Sequence, residues 1–140
     1  MGGGYIGLEL GSVYAALGTK VTVVEMTPGL LPGADRDLVA VLQRRLEQTL
    51  HKILLNARVV EMKEVKNRIK VRVDGAELTA EDREQTFDRV LVSIGRKPNS
   101  AIPGLDKTRV KVGDRGFIVV DEAMRTAEPG ILAIGDVVGE

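Results

Sequence analysis

The sequence has no cysteine and no tryptophan, and aromatic residues occupy only 3% of its 140 positions. Without cysteine, these residues form no disulfide framework and no cysteine-ligated metal site. The scarcity of aromatic rings removes the stacking surfaces with which proteins bind single-stranded nucleic acid. Twenty basic side chains balance twenty acidic ones, so no net charge attracts nucleic acid or anionic lipid. We therefore predict no metal and no nucleic-acid partner.

Long apolar runs are also lacking. No stretch approaches the roughly 20 residues that a membrane-spanning helix needs, so we predict no membrane partner. The length suits one domain with a modest core. A content of 44% hydrophobic and 29% charged residues is typical of soluble globular proteins. We expect a single domain located in the cytoplasm.

A glycine-rich segment opens the chain, and a helical pattern follows it. Residues 1–7 (MGGGYIG) contain G-x-G-x-x-G, with glycines at positions 2, 4 and 7. The spacing of the next apolar residues predicts a helix that Gly18 ends. The buried face of this helix is predicted to consist of Ile6, Leu10, Val13, Tyr14 and Leu17. Residues 20–25 (KVTVVE) then predict a buried strand that ends in Glu25.

This order of elements is typical of a dinucleotide site. Gly2 permits a tight turn, Gly4 lets a pyrophosphate approach the backbone, and Gly7 lets helix and strand pack closely. The helix N-terminus supplies amides and a positive dipole to the phosphates. Glu25 lies near the offset at which an acid accepts hydrogen bonds from a ribose. A glycine-rich turn alone is weak evidence, because a flexible terminus before an ordinary helix has the same letters.

The remaining pattern predicts an α/β fold with a parallel sheet and an inserted antiparallel β-meander. Residues 36–50 form a second helix, with Leu38, Val39, Leu42, Leu46 and Leu50 on its buried face. Strands are predicted over residues 52–55, 57–66, 68–73, 86–94, 117–120 and 131–134. Residues 57–73 are predicted to form a hairpin, and residues 74–85 a loop or an irregular edge. The domain divides into a βαβ part at about 1–56, the meander at about 57–94 and C-terminal strands at about 95–140.

The glycine motif normally follows a strand, and only Met1 precedes it here. We therefore expect a truncated domain that lacks its first strand and is a fragment of a longer protein. The uncovered sheet edges favour pairing with another chain. The chain is predicted to form a homo-oligomer, with strand exchange as one route.

Five segments resemble, in order and spacing, the NAD-binding domain of the pyridine nucleotide–disulfide oxidoreductases. They are residues 2–9 (GGGYIGLE), the strand ending at Glu25, residues 92–99 (VSIGRKPN), residues 115–121 (RGFIVVD) with 125–129 (RTAEP), and residues 133–137 (AIGDV). The resemblance covers essentially the whole chain and implies a Rossmann-like fold. Residues 7–11 (GLELG) and the acid at position 25 are most similar to the dihydrolipoyl dehydrogenases.

The resemblance implies that five residues bind the NAD pyrophosphate and ribose or pack against its adenine. Gly2, Gly4 and Gly7 would hold the pyrophosphate. Glu25 would bind the adenosine ribose and disfavour NADP, because a carboxylate repels a 2′-phosphate. Val59 would pack on the adenine. The alternative for Glu25 is a solvated strand end, and the alternative for Val59 is a core valine.

Three further residues match positions near the redox groups of the family. Gly95 would begin the loop that approaches the nicotinamide, and Glu9 would lie near the nicotinamide and the flavin. Asp136 would bind the ribityl chain of FAD. The alternative for Glu9 is a solvated helix residue, and the alternative for Asp136 is a cap or turn residue.

The implied activity is NAD-dependent oxidation of dihydrolipoamide by an FAD-containing parent enzyme. The family passes electrons from a dithiol to a redox-active disulfide, then to FAD and then to NAD. The chain lacks the cysteine pair, the FAD domain and the catalytic histidine, so we predict no catalytic residue and no activity for it alone. Its expected partners are the FAD and interface domains of the parent. His51 has no partner that would make it a base, and we assign it no role.

Two alternatives to this activity stay open. The parent belongs to another branch of the family, such as mercuric reductase, glutathione reductase or soluble transhydrogenase, or the chain is a non-catalytic structural or assembly module. Glu25 argues against the NADP-specific branches.

Overall fold

The computed structural model describes residues 1–139, which fold as a mixed α/β chain with two small sheets. The chain separates into two compact units, Met1–Gly95 and Arg96–Glu140. The helices of the first unit are α1 (Tyr5–Ala16), α2 (Arg36–Thr49) and α3 (Ala80–Arg83). Its strands are β1 (Thr22–Val24), β2 (Lys52–Leu54), β3 (Arg58–Val65), β4 (Arg68–Asp74) and β5 (Glu84–Phe87). The second unit contains two short 3₁₀ helices, Leu105–Lys107 and Gly135–Val137.

The parallel sheet consists of β1 and β2, which α2 connects. Its register pairs Thr22 with Lys52 and Val24 with Leu54. The predicted helix–strand order of this part is confirmed, with strands shorter than predicted. Met1 and Gly2 continue the hydrogen bonding beyond β1: Gly2 N–H donates to the Val24 carbonyl at 2.9 Å.

The first two residues also bond to the segment after β5. Ser93 N–H donates to the Met1 carbonyl at 2.9 Å, and the amino group of Met1 donates to the Leu91 carbonyl. Met1 and Gly2 therefore lie between Val24 on one side and residues 91–93 on the other. The backbone of the glycine-rich segment is thus tied to the sheet before α1 begins.

The second sheet is antiparallel, with strand order β3-β4-β5. The predicted hairpin is confirmed, and Lys66 and Asn67 form its turn with φ of 51° and 62°. Two consecutive left-handed residues suit the twist of a tight hairpin. A register shift between Val59 and Glu61 marks a bulge in β3.

The prediction of a strand over residues 86–94 was wrong in position. The ladder between β4 and β5 ends with Ile69 opposite Phe87. Because β4 itself begins at Arg68, β4 offers almost no partner to the residues after Phe87, and Leu91 and Ser93 bond to Met1 instead. The segment 74–85, predicted as a loop or an irregular edge, contains the short helix α3, where the Thr79 hydroxyl accepts a hydrogen bond from Asp82 N–H.

Two apolar clusters lie on opposite sides of the parallel sheet. Val23 faces the helices, in a cluster with Leu8, Leu30, Val39, Leu46 and Leu50. Val24 faces the antiparallel sheet, in a cluster with Leu54, Ala57, Val71 and Val73. The first unit is therefore built in three layers, with helices, the parallel sheet and the antiparallel sheet in that order. The alternation of side chains along β1 produces this division.

The predicted buried face of α1 was wrong. The residues of α1 that are buried are Gly7, Leu8 and Gly11. The stripe formed by Leu10, Val13, Tyr14 and Leu17, which we call the α1 stripe, is exposed, with Leu17 at 77%. The cause is the pair of glycines, since the absence of side chains at Gly7 and Gly11 lets this face pack directly against Gly2, Ser93 and Val21. The predicted end is confirmed: Gly18 has φ of 90° and bonds back to Ala15, as in a Schellman motif.

The buried face of α2 was predicted correctly in part. Val39, Leu46 and Leu50 are buried, but Leu38 and Leu42 are exposed. Within residues 1–139, no helix has the length and hydropathy needed to cross a membrane.

The strands predicted at 117–120 and 131–134 were wrong, because each is reduced to one isolated bridge. Val112 pairs with Ile118, and Arg125 pairs with Leu132. Each pair closes a short reversal of the chain, the first tightened by a hydrogen bond from Gly116 N–H to the Gly113 carbonyl. Such short reversals leave no length for a ladder.

Candidate dinucleotide site

The glycine turn packs against the backbone of Ser93 so closely that side chains are excluded at two positions. Gly2 has φ of 98°, and a Cβ built on it would lie 2.2 Å from the Ser93 carbonyl oxygen. A Cβ on Gly7 would lie 2.3 Å from the Gly2 carbonyl oxygen and 2.5 Å from Ser93 Oγ. Helix α1 therefore begins in direct contact with the backbone that precedes it.

Gly4 has the opposite environment. It caps α1 with an extended backbone, and a Cβ built on it would meet no atom within 4 Å. The backbone N–H groups of Gly4, Tyr5, Ile6 and Gly7 have no acceptor among residues 1–139. Unpaired amides at a helix N-terminus, together with the helix dipole, favour an anionic group. The open backbone and the free amides fit a phosphate group.

Glu25 lies directly after β1 and reaches the same turn. Its exposed fraction is only 6%. Oε2 accepts a hydrogen bond from Gly3 N–H at 2.6 Å, and Oε1 accepts hydrogen bonds from Thr27 N–H and Oγ1, both at 2.7 Å. Burial raises the pKa of Glu25, but the hydrogen bonds from Gly3 and Thr27 outweigh it and hold the pKa below its usual value. The carboxylate is therefore ionised at neutral pH.

Two residues of this arrangement were missed from the sequence. Gly3 is packed so tightly that a Cβ would lie 2.9 Å from Leu30 Cδ2 and 3.0 Å from Glu25 Cβ. Thr27 supplies two of the three donors to Glu25. The third glycine in a row was a signal for the first residue. A hydroxyl two positions after the acid was a weaker signal for the second.

Three predicted residues lie in the first unit without a hydrogen bond or ion pair to the Gly3–Glu25–Thr27 arrangement, as far as residues 1–139 show. Glu9 is exposed on α1. Val59 is half-buried in β3, opposite Val73, and packs against the cluster behind Val24. Gly95 is exposed with φ of 135°, and nothing lies within 4 Å of a Cβ built there. Their roles toward NAD stay predictions.

Asp136 lies in the second unit, in the 3₁₀ helix Gly135–Val137. Its Oδ2 forms an ion pair with Arg96 Nη1 at 2.6 Å, and both side chains are exposed. The role of Asp136 toward FAD stays a prediction. His51 is exposed after α2. Residues 1–139 contain no group of three or more side chains arranged to hold a metal ion.

A family model described as pyridine nucleotide-disulphide oxidoreductase matches residues 1–140, and the chain belongs to this family. The dihydrolipoyl dehydrogenase of Vibrio parahaemolyticus is 44% identical over 140 residues, which are the whole chain and 29% of that protein. The chain therefore spans less than a third of the length of this curated relative.

Solved structures of the family have the same fold. The copper(II) complex of the HOCl-induced flavoprotein disulfide reductase RclA from Escherichia coli matches with a TM-score of 0.82 at 34% identity. The match covers 100% of this chain and 30% of that one. The water-forming NADH oxidase of Lactobacillus brevis, bound to NADH, matches with a TM-score of 0.77 at 26% identity, covering 97% of this chain and 28% of the oxidase.

Proposed function

We propose that this chain is the NAD-binding segment of a dihydrolipoyl dehydrogenase, a flavoenzyme that converts dihydrolipoamide and NAD⁺ to lipoamide, NADH and a proton. The observation that carries the proposal is the buried, ionised Glu25 at the end of β1, hydrogen-bonded to the glycine turn beside the unpaired amides of α1. The similarity to dihydrolipoyl dehydrogenases over the whole chain supports it.

In this proposal the βαβ unit is part of a Rossmann-like domain, and its residues bind and orient the cofactor. The amides at the start of α1 bind the pyrophosphate, and the absence of a side chain at Gly4 lets it come close. A carboxylate has about four lone-pair sites, and Glu25 uses three of them within the chain. The remaining site accepts a hydrogen bond from a ribose hydroxyl.

The bound flavin and nicotinamide supply the redox chemistry, and this chain supplies the position and the selectivity. Glu25 faces the ribose as an anion, so it repels a 2′-phosphate and selects NAD over NADP. Val59, Gly95 and Glu9 contact the rest of the cofactor, and Asp136 reaches the FAD of the parent. The partners are the FAD-binding and interface domains of that parent.

Titration of the 140-residue chain with NADH and NADPH by calorimetry tests this proposal. We expect saturable binding of NADH and binding of NADPH at least about tenfold weaker, which corresponds to about 1.4 kcal/mol. Glu25→Gln removes the negative charge, so we expect it to lower the ratio of the Kd for NADPH to the Kd for NADH. Glu77→Gln is the matched control, because Glu77 is exposed and has no ion pair within residues 1–139. Absence of saturable binding, or tighter binding of NADPH, contradicts the proposal.

The similarity to RclA favours a second candidate, in which the parent is another flavin disulfide reductase of the family. Such a parent retains the NAD site but reduces or oxidises a different substrate. Oxidation of dihydrolipoamide by the complete parent enzyme separates the two candidates. An enzyme that uses NAD but leaves dihydrolipoamide unchanged supports the second.

A further inference from the structure

The hydrogen bonds to Glu25 come from two separate segments of the chain. Gly3 belongs to the glycine turn, and Thr27 belongs to the loop after β1. Glu25 forms no ion pair within 4 Å among residues 1–139, and its three hydrogen-bond donors are all neutral groups. The orientation of the acid therefore depends on where these donors are fixed.

Thr27 is fixed by the parallel sheet. Glu25 N–H donates to the Leu54 carbonyl at 2.8 Å, and the Thr27 carbonyl accepts from Asn56 N–H at 3.1 Å. The backbone on both sides of Met26 is thus attached to the end of β2. The Thr27 hydroxyl also lies 2.8 Å from the Gly29 carbonyl, but it has one proton, and the ionised carboxylate is the stronger acceptor.

Gly3 is fixed by the same loop from its other end. The Gly3 carbonyl accepts from Leu31 N–H at 2.9 Å, and Leu30 Cδ2 would lie 2.9 Å from a Cβ built on Gly3. Arg36, at the start of α2, donates to the carbonyls of Leu30 and Leu31 at 3.0 and 2.6 Å. Residues 27–31 therefore hold the glycine turn through Glu25 on one side and through Leu31 on the other.

We propose that Thr27 is a positioning residue of the cofactor site, whose hydroxyl holds the Glu25 carboxylate against Gly3 and so sets the glycine turn before the cofactor arrives. The proposal rests on the proposed function and deepens it. The acid that faces the ribose and the turn that faces the pyrophosphate become one unit. Without the hydroxyl, the carboxylate is free to rotate, the contact with Gly3 N–H weakens, and the two halves of the site lose their relative position.

Three variants separate the hydroxyl from the rest of the side chain. Thr27→Val keeps the shape and the backbone N–H but removes the hydroxyl. Thr27→Ser keeps the hydroxyl and removes the methyl group. Thr86→Val makes the same change as the first variant at an exposed position of β5, where the hydroxyl makes no hydrogen bond within residues 1–139. Thermal unfolding of each variant confirms that it is folded.

The first measurement needs no cofactor. The Gly3 amide is followed in ¹H–¹⁵N spectra of the glycine-labelled chain, because a hydrogen bond to a carboxylate moves an amide proton strongly downfield. We expect Thr27→Val to move this resonance upfield, whereas Thr27→Ser and Thr86→Val leave it in place. An unchanged Gly3 amide in folded Thr27→Val overturns the proposal.

The second measurement is the Kd for NADH. We expect Thr27→Val to raise the Kd for NADH about tenfold, the effect of losing a hydrogen bond to a charged group. The Kd of Thr27→Ser stays within about twofold of the value for the unsubstituted chain. Equal weakening by both variants shows a packing role and overturns the proposal. If the unsubstituted chain binds no NADH, the proposed function fails and the cofactor half of this inference fails with it. The Gly3 amide distinguishes that outcome from a failure of the Thr27–Glu25–Gly3 link.

Discussion

At the scale of single residues, the three motif glycines have different environments. Gly2 and Gly7 are enclosed by backbone and by Ser93, whereas Gly4 faces open space. A side chain at Gly7 would overlap atoms of the chain itself. A side chain at Gly4 would occupy only the space in which we place the pyrophosphate. The same substitution at the two positions therefore separates stability from binding.

We predict that Gly7→Ala lowers the free energy of unfolding by about 1–3 kcal/mol, because the new methyl group overpacks the contact with Gly2 and Ser93. Gly4→Ala leaves stability within about 0.5 kcal/mol, as expected of a surface change, but weakens NADH binding. Urea unfolding and calorimetric titration of the two variants provide the measurements. Equal stability losses at both positions would show that Gly4 is not open.

At the scale of elements, a charged contact joins the parallel sheet to α3, the short helix before β5. Lys52 Nζ in β2 donates to Asp82 Oδ1 of α3 at 2.5 Å, and the Thr79 hydroxyl donates to Asp82 Oδ2 at 2.8 Å. The exposed fraction of Asp82 is 5%. The hydrogen bonds from Lys52 and Thr79 hold the pKa of Asp82 below its usual value. The ionised form of Asp82 thus favours the folded state.

We predict that Asp82→Asn lowers the free energy of unfolding by about 1–3 kcal/mol at pH 7. Because the folded-state pKa of Asp82 is depressed, its contribution is complete above the unfolded pKa of about 3.9 and is lost as the pH falls through the folded pKa. The difference in unfolding free energy between Asp82→Asn and the unsubstituted chain therefore becomes smaller at acidic pH. Asp74→Asn is the control, because Asp74 is exposed and its only ion pair is a surface contact of 3.6 Å between Oδ1 and Arg83 Nη1 within residues 1–139. Such exposed pairs contribute little to stability. A difference that does not change with pH contradicts this account.

Elements that depend on local signals were predictable, and elements that depend on distant partners were not. Gly18 ends α1 by its own backbone conformation, and the sequence identifies it. The buried face of α1 was not predictable, because α1 is apolar on more than one side and two glycines decide which side approaches the sheet. The apolar runs at 88–94, 117–120 and 131–134 have strand-like composition, but a ladder needs a neighbouring strand of matching length.

The residues of the candidate site also fall into a group that the sequence predicts and a group that it does not. Glu25 and the motif glycines were identified because the motif specifies their residue types and spacing. Gly3 occupies a position that the motif leaves free, and its contact with Glu25 joins residues 22 positions apart. Thr27 acts through a hydroxyl, whose partner only the folded loop reveals. The sequence therefore identifies the groups that we propose to face the cofactor more readily than the groups that hold them in place.

At the scale of the whole molecule, the first unit exposes apolar surface that a water-soluble chain normally covers. The α1 stripe continues over two turns of helix without a partner among residues 1–139. In a concentrated solution of the isolated chain, the α1 stripe can be covered by the apolar surface of a second copy. The stripe would provide a route to self-association in addition to the strand exchange predicted from the sequence.

We predict that the chain self-associates as its concentration rises, because burying the stripe removes apolar area from water. Light scattering across a concentration series measures the average mass. The double variant Val13→Lys and Leu17→Lys shifts the chain toward the monomer, whereas Val65→Lys, at an exposed position of β3, does not. A monomer of unchanged mass at every concentration contradicts the prediction.

The contact between the amino group of Met1 and the Leu91 carbonyl affects how the chain is best produced. Burial lowers the pKa of this amino group, although the nearby Glu25 raises it. A chain with a free amino terminus therefore loses stability as the pH falls from about 8 toward neutral. An affinity tag fused ahead of Met1 replaces the ammonium with a peptide N–H, which donates the same bond without a buried charge. Affinities and stabilities from amino-terminally and carboxy-terminally tagged preparations are therefore different quantities.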